Sequence, residues 1–157
     1  MRPASEEVTR DFTVAVFVVH ESHVMLHRHR KLNVWLPPGG HIEPSELPDD
    51  AAIREVQEEA ELAVELVGPR GLGQDYPGQP KQLVRPEGIQ LEDIGPGHQH
   101  IDLIYFARPQ AISPDGSLPP LAMGMRWVHR DELGELELTD EVSDWCRKAL
   151  DSFSALA

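Results

Sequence analysis

The residues best suited to chemistry in this chain are three glutamates that follow a glycine turn. Glu55, Glu58 and Glu59 stand at positions i, i+3 and i+4, so in a helix they would share one face. Like charges at this spacing repel and destabilise an isolated helix. Clustered carboxylate oxygens suit Mg²⁺ or Mn²⁺, and such ions commonly also hold substrate phosphates. The spacing therefore predicts a cation site on this helix face.

A helix must position these glutamates, and the sequence predicts one from Pro48 to about Ala60. Proline suits the first turn of a helix, and Asp49 and Asp50 suit its positive N-terminal end. Such a helix would bury one face and present carboxylates on the other. Helical spacing predicts that the buried stripe consists of Ala52, Ile53, Val56 and Ala60.

The order of residues around this helix resembles a known signature. It runs Gly40, five residues, Glu46, seven residues, and then Arg-Glu-Val-Gln-Glu-Glu-Ala-Glu-Leu over 54–62. This pattern closely resembles the signature box of the Nudix hydrolases, and the flanking segments 35–40 and 126–128 are also similar to that family. The single departure is Glu61, which stands where the family has glycine.

The resemblance implies an activity, a cofactor and a fold. Nudix hydrolases cleave a nucleoside diphosphate linked to another group, with Mg²⁺ or Mn²⁺ bound at the box. The implied fold class is α/β, a Nudix-type α/β/α sandwich with a mixed central sheet, formed by one domain over 1–157. The implied partner is a small nucleotide-type diphosphate, and family members are often homodimers.

Roles carry over from the family position by position. Glu58 and Glu59 would be the principal metal ligands, Glu55 a ligand or the general base, and the backbone carbonyl of Gly39 a further ligand. The residues that would support the box are Gly40, Glu46 and Arg54, with Arg54 pairing to Glu46. Glycine at position 61 looks in the family like a left-handed helix cap. Glutamate could adopt that conformation at a cost of about 1 kcal/mol, or the helix could end differently.

Residues outside the box are further candidates for substrate binding or for the base. His98, His100 and Asp102 alternate on a strand predicted over 98–108, so they would point to one side of a sheet. The basic run 27–31 could grip phosphate, although a solvated strand end is an equally good interpretation. The candidates kept for substrate or base are Glu43, Arg28, His100, Asp102 and Glu92, with Glu87 and Asp93 as alternatives for the base.

The rest of the chain supplies strands and a second helix. Alternation and β-branched residues predict strands over 12–20, 23–28, 63–67 and 121–129, and a C-terminal helix over 139–153 with Thr139 as its N-cap. The segment 37–40 is rich in Pro and Gly, so we expect it to be irregular. A long loop with short strands is expected over 68–97, and a flexible N-terminus over 1–10.

Composition limits the choice of partners and compartment. The chain has 157 residues and a formal net charge of −13, which argues against polymeric nucleic acid or an anionic membrane as partner. No apolar run approaches the length of a membrane span. Cys146 is the single cysteine, so an intrachain disulfide is excluded and a cytoplasmic location is expected. A second hypothesis is a non-catalytic nucleotide-binding module, which Glu61 alone supports.

Overall fold

A mixed sheet forms the middle layer of the protein, in a computed structural model that describes residues 7–154. Its eight strands include the path β3-β2-β1-β7-β5, while β4 pairs with β1, β6 with β7 and β8 with β2. The strands are β1 Thr9–His20, β2 His23–His29, β3 Val34–Leu36, β4 Gly39–His41, β5 Val64–Val67, β6 Gly88–Gly95, β7 His98–Pro109 and β8 Met125–His129.

Two helices cover opposite faces of this sheet. Helix α1, Pro48–Ala60, packs on the face that carries Val14, Val16 and Val18. Helix α2, Asp140–Ser154, packs on the other face, with Phe17 and Phe106. Successive residues of a strand point to opposite faces, so one buried strand supplies both cores. The architecture confirms the predicted α/β/α sandwich with a mixed sheet.

The pairing of β1 with β7 brings distant parts of the chain together. These two strands run parallel and pair from Thr9 with His98 to Val18 with Ala107, whereas the other strand pairs are antiparallel. The first residues of β1 therefore lie beside the first residues of β7. Strand β1 begins inside the segment 1–10, so the expected flexibility is wrong for Thr9 and Arg10. Residues 1–6 lie outside the described part of the chain.

Several predicted boundaries need correction. The segment 37–40 is not irregular throughout, because Gly39–His41 form β4 and pair with Thr13–Ala15 of β1. The glycines keep their N–H groups, and the carbonyl of Pro38 accepts a hydrogen bond from the Val16 N–H at 2.9 Å. Strand β8 begins at Met125 rather than at position 121, and β6 spans eight residues of the expected long loop.

The buried stripe of α1 also differs by one residue from the prediction. Ala51, Ala52, Val56 and Ala60 are buried, whereas Ile53 is 37% exposed. Small alanines let the helix approach the sheet closely, so Ala51 faces the sheet and Ile53 lies at the edge of the contact. The C-terminal helix begins as predicted, with the Thr139 hydroxyl accepting a hydrogen bond from the Val142 N–H at 3.2 Å.

Candidate active site

Helix α1 presents the three glutamates of the predicted cation site. The helix has proline in its first turn and Asp49 and Asp50 at its N-terminal end, where the helix dipole favours negative charge. Its alanine face is buried against the sheet, which turns Glu55 and Glu59 towards the glycine turn, while Glu58 is 59% exposed and contacts Arg54. The Glu55 side chain is only 12% exposed and that of Glu59 is 32% exposed. We call these three residues the box cluster.

Two glycines allow the backbone of β4 to approach this cluster. A Cβ atom at Gly40 would lie 2.6 Å from the Cδ atom of Glu55, and a Cβ atom at Gly39 would lie 3.1 Å from the Cα atom of Ala15 and collide with the Val14 carbonyl. A side chain at position 40 would therefore displace the Glu55 carboxylate. The space beside Glu55 exists because glycine has no side chain.

Arg54 connects the loop before α1 to the glutamates of the helix. Its guanidinium donates from Nε to Oε2 of Glu46 at 2.6 Å and from Nη2 to Oε1 at 2.9 Å, which is a bidentate pair. It also donates to Glu55 at 3.0 Å, to Glu58 at 3.1 Å and to the His41 carbonyl at 3.0 Å. The hydrogen bond from Arg54 lowers the pKa of Glu46. Arg54 thus fixes the loop before α1 and partly offsets the charge of two box glutamates.

Arg54 does not bond to Glu59, and the negative charge of Glu59 is the least favourable one in the box cluster. Its pKa is raised to about 7, first by burial and then by the neighbouring carboxylate of Glu55, while a hydrogen bond from the Gly39 backbone acts in the opposite direction. The Nε2 atom of His27 lies 3.9 Å from its Oε2 atom. A proton or a cation relieves this crowding of carboxylates, and oxygen-only donors fit Mg²⁺ or Mn²⁺. The residues present therefore fit the metal that the resemblance implies.

Glu61 closes the helix in the conformation that glycine would adopt. Its φ and ψ are 53° and 41°, in the left-handed region, and its N–H donates to the carbonyl of Gln57. This αL ending is the geometry expected of a glycine cap. The departure from the family pattern is therefore accommodated in the backbone, at a strain cost of about 1 kcal/mol, and it leaves the three glutamates in place.

Basic residues at and just after the end of β2 lie next to Glu59. A surface cavity of about 310 Å³ is lined by His27, Arg28, Arg30 and Glu59, together with residues 123–125. Arg28 also donates to the side chain of Asn33. Three residues of the basic run singled out in the sequence thus lie beside Glu59. The two arginines are placed to hold phosphate oxygens, whereas burial lowers the pKa of His27.

A second cavity lies between the sheet and α2. It measures about 330 Å³, and its polar wall consists of Gln90, Glu92, Asp102 and Glu141. The pKa of Glu92 is raised by burial and then by the charges of Asp102 and Glu141. The Thr13 hydroxyl donates to Asp102 at 2.5 Å. Of the base candidates outside the box, Glu92 and Asp102 line this cavity.

The remaining candidates lie elsewhere. Glu43 lines a different cavity, beside Asp11 and His41, and its backbone N–H and carbonyl both hydrogen-bond to Glu46. His100 lies at the same end of the sheet, where burial and then the neighbouring rings of His41 and His98 lower its pKa. Asp11, His41 and Glu141 were not singled out in the sequence. Their polar side chains carry no periodic signal. Strand pairing places Asp11 and His41 beside the other candidates, and the packing of α2 on the sheet brings Glu141 to Gln90.

Comparison with known proteins identifies the family. The NUDIX domain profile matches residues 9–150. The fold is similar to the crystal structure of a NUDIX family hydrolase from Clostridium perfringens, with 34% identity, a TM-score of 0.77, and 93% of this chain and 99% of that chain covered. No curated protein matches significantly.

More distant structures share the fold alone. The MutT protein from Methanosarcina mazei Go1 has 16% identity and a TM-score of 0.61, with 94% of this chain and 97% of that chain covered. The Ap4A hydrolase of C. elegans has 18% identity and a TM-score of 0.54, with 95% of this chain and 98% of that chain covered.

The chain belongs to the Nudix family, and it is an enzyme of the Nudix pyrophosphohydrolase class. No helix within 7–154 is long and apolar enough to cross a membrane.

Proposed function

We propose that this protein hydrolyses the pyrophosphate bond of a nucleoside diphosphate linked to another group, with Mg²⁺ or Mn²⁺ at the box cluster. The observation that carries this proposal is the crowding of Glu55 and Glu59 at a glycine turn, with Glu58 beside them on the helix and a raised pKa at Glu59. The ligands would be these carboxylates and the backbone carbonyl of Gly39. A divalent ion held there would neutralise phosphate charge and acidify a water molecule.

The protein's own residues would orient the substrate around this centre. Arg28, Arg30 and His27 share a cavity with Glu59, so they are placed to pair with the phosphates that the box does not neutralise. Arg54 is engaged with Glu46 and the helix, so its role is to hold the carboxylates in position. Positioning and charge stabilisation supply most of the rate enhancement in phosphoryl transfer.

The group beyond the pyrophosphate would occupy the cavity beneath α2. Leu36 and Pro37 line that cavity, and His27 of the basic cavity pairs with Leu36, so both cavities border the segment that leads into the box. The α2 cavity offers acceptors from Glu92, Asp102 and Glu141. These acceptors favour a group rich in hydrogen-bond donors, such as a sugar or a nucleobase with an amino group.

Two residues are candidates for the general base. Glu55 lies in the box itself, and Glu92 is the acidic residue of β6 that faces the α2 cavity with a raised pKa. General-base catalysis contributes roughly 10²–10⁴-fold. Replacing the base by glutamine should lower kcat by that amount and remove one limb of the pH profile, whereas replacing a binding residue should mainly raise KM.

An activity screen tests the proposal directly. The purified protein is incubated with nucleoside triphosphates, dinucleoside polyphosphates, sugar nucleotides and oxidised nucleotides, with Mg²⁺, with Mn²⁺ or with EDTA, and mononucleotide release is measured. We expect turnover of at least one class with metal and none in EDTA. Glu61→Gln is the matched control, because it removes one charge next to the box and leaves the cluster intact. Binding without turnover under both metals would contradict the proposal.

Two further points accompany this proposal. The non-catalytic alternative drew its support from Glu61, and the left-handed cap at Glu61 keeps the helix and its glutamates in place, so no observation favours that alternative. Homodimerisation stays a prediction from the family resemblance, which sedimentation of the purified protein would test.

A further inference from the structure

Three imidazoles and one carboxylate meet at the start of β1 and β7, away from the box glutamates. We call Asp11, His41, His98 and His100 the histidine cluster. Strand pairing builds it, because Asp11 lies opposite His100 and Thr9 lies opposite His98 in the parallel pair, while Thr13 lies opposite His41 at the end of β4. Asp11, His98 and His100 each direct one ligand atom into a space in which these atoms lie within 4.8 Å of one another.

The distances within the histidine cluster match those of a coordinated metal ion. The Oδ2 atom of Asp11 is 3.2 Å from Nε2 of His41 and 3.2 Å from Nε2 of His98. Two ligands that each lie about 2.1 Å from a tetrahedral Zn²⁺ are about 3.4 Å apart. The ring centroids of His41 and His100 are 4.9 Å apart, and those of His98 and His100 are 5.3 Å apart. Asp11, His98 and His100 can therefore approach one ion with small side-chain rotations, and His41 lies beside them through its contact with Asp11.

Close contacts hold the ring of His98 in place. Its Nδ1 atom lies 2.8 Å from the Thr9 hydroxyl oxygen, which also lies 3.3 Å from the Gly97 carbonyl oxygen. Its Nε2 atom faces the Asp11 carboxylate at 3.2 Å. A partner on the second ring nitrogen is also what metal-bound histidines usually have.

The donor set separates the histidine cluster chemically from the box cluster. Carboxylates alone suit the hard ions Mg²⁺ and Mn²⁺, whereas imidazole nitrogens with one carboxylate suit Zn²⁺ and other late first-row ions. Asp11 and His41 are 48% and 59% exposed at their side chains, so an ion can reach the cluster from solvent and keep an open coordination position.

We propose that the histidine cluster is a second metal site, selective for imidazole-preferring divalent ions such as Zn²⁺ and distinct from the magnesium-type site of the box. An ion there joins the beginnings of β1 and β7, and Asp11 in turn contacts His41 at the end of β4. The site also touches the box through one residue, because the carbonyl of His41 accepts a hydrogen bond from Nη2 of Arg54 at 3.0 Å. The bound ion thereby holds the glycine turn from the side opposite to α1.

Metal titration of the full chain, free of any affinity tag and stripped of metal, tests this site. Calorimetry with Zn²⁺ measures affinity and stoichiometry, and the visible spectrum with Co²⁺ reports nitrogen coordination. We expect one nitrogen-coordinated Zn²⁺ site in addition to any Zn²⁺ bound by the box carboxylates. We also expect an intense, low-symmetry Co²⁺ spectrum, which six oxygen ligands do not give. His98→Ala and His100→Ala should each weaken Zn²⁺ binding by at least about tenfold.

Matched variants distinguish this site from the other places where Zn²⁺ could bind. Glu58→Gln removes a box carboxylate, and His29→Ala removes one imidazole from a distant part of β2; both should keep the affinity and the spectrum of the wild type. Asp11→Asn is nearly isosteric, so it tests the site even if an alanine variant fails to fold. Equal Zn²⁺ affinity in the wild type, Asp11→Asn and His98→Ala, or loss of the site in Glu58→Gln, would overturn the proposal.

Discussion

The box cluster and the histidine cluster lie on two sides of the same glycine turn, and they are assembled in opposite ways. The three box glutamates come from five consecutive positions of one helix. The histidine cluster draws its residues from β1, β4 and β7. The first cluster is made of oxygen donors and is stabilised by Arg54, whereas the second is rich in nitrogen and centred on one carboxylate.

This difference teaches how the two kinds of site depend on the fold. A helix sets the spacing of its side chains locally, so the box exists wherever the helix forms. The second cluster requires the correct register of a parallel strand pair, since a slip by one residue would turn every side chain to the other face. Changes to the box should therefore alter chemistry without altering the fold, and changes in strand register should abolish the second cluster.

The largest effect is expected from the box glutamates themselves. Glu58→Gln should lower kcat/KM about a thousandfold, or roughly 4 kcal/mol of transition-state stabilisation, because the metal ion loses a charged ligand. Steady-state kinetics at saturating Mg²⁺ measures this loss, with Glu61→Gln as the control. If Glu58→Gln retained full activity, the box would not be the metal centre and the comparison between the two clusters would fail.

A smaller effect on stability is expected from Arg54→Met. The change leaves the carboxylate of Glu46, which is 14% exposed, without its bidentate partner. A largely buried charged group that loses its hydrogen bonds costs about 1–3 kcal/mol of unfolding free energy. Urea denaturation measures this loss. Glu46→Gln and the double variant complete a thermodynamic cycle, and additive losses would show that the pair contributes no coupling.

A gain of stability is expected from Glu61→Gly. Glycine adopts the left-handed conformation of residue 61 without strain, which should raise the unfolding free energy by about 0.5–1 kcal/mol after the entropy of the unfolded chain is included. Glu61→Ala keeps the strain but removes the charge, so it should give little of this gain. If alanine stabilised as much as glycine, charge repulsion at the end of α1 would be the cause instead of backbone strain.

The pH dependence of stability should distinguish the box from the rest of the protein. The folded-state pKa of Glu59, about 7, lies above its ordinary value of 4.5, so the folded state holds this proton more tightly than the unfolded state. Its contribution is complete below pH 4.5 and is lost as the pH rises through 7. Thermal melts in EDTA over this range should show a falling Tm that Glu59→Gln flattens. Saturating Mg²⁺ should also flatten the fall of Tm with pH. If neither Glu59→Gln nor Mg²⁺ changed this slope, Glu59 would not be the cause of the pH dependence.

The sequence by itself determined the box and the helix that carries it. Spacing alone placed Glu55, Glu58 and Glu59 on one face, and Pro48 with its following aspartates marked the start of the helix. These are local properties, because 3.6 residues per turn and the capping preferences act over a few positions. The family resemblance, carried by the same segment, also predicted the α/β/α sandwich correctly.

Only the tertiary structure decided the features that depend on distant partners. Ala51 took the buried place predicted for Ile53 because the sheet sets how closely α1 approaches. Gly39–His41 became a strand because β1 offered free hydrogen-bonding groups. Asp11, His41 and His98 carried no joint signal, since no local rule connects the starts of β1 and β7 with the end of β4. Pairing between strands far apart in the chain brings these side chains together, and that pairing is a property of the whole fold.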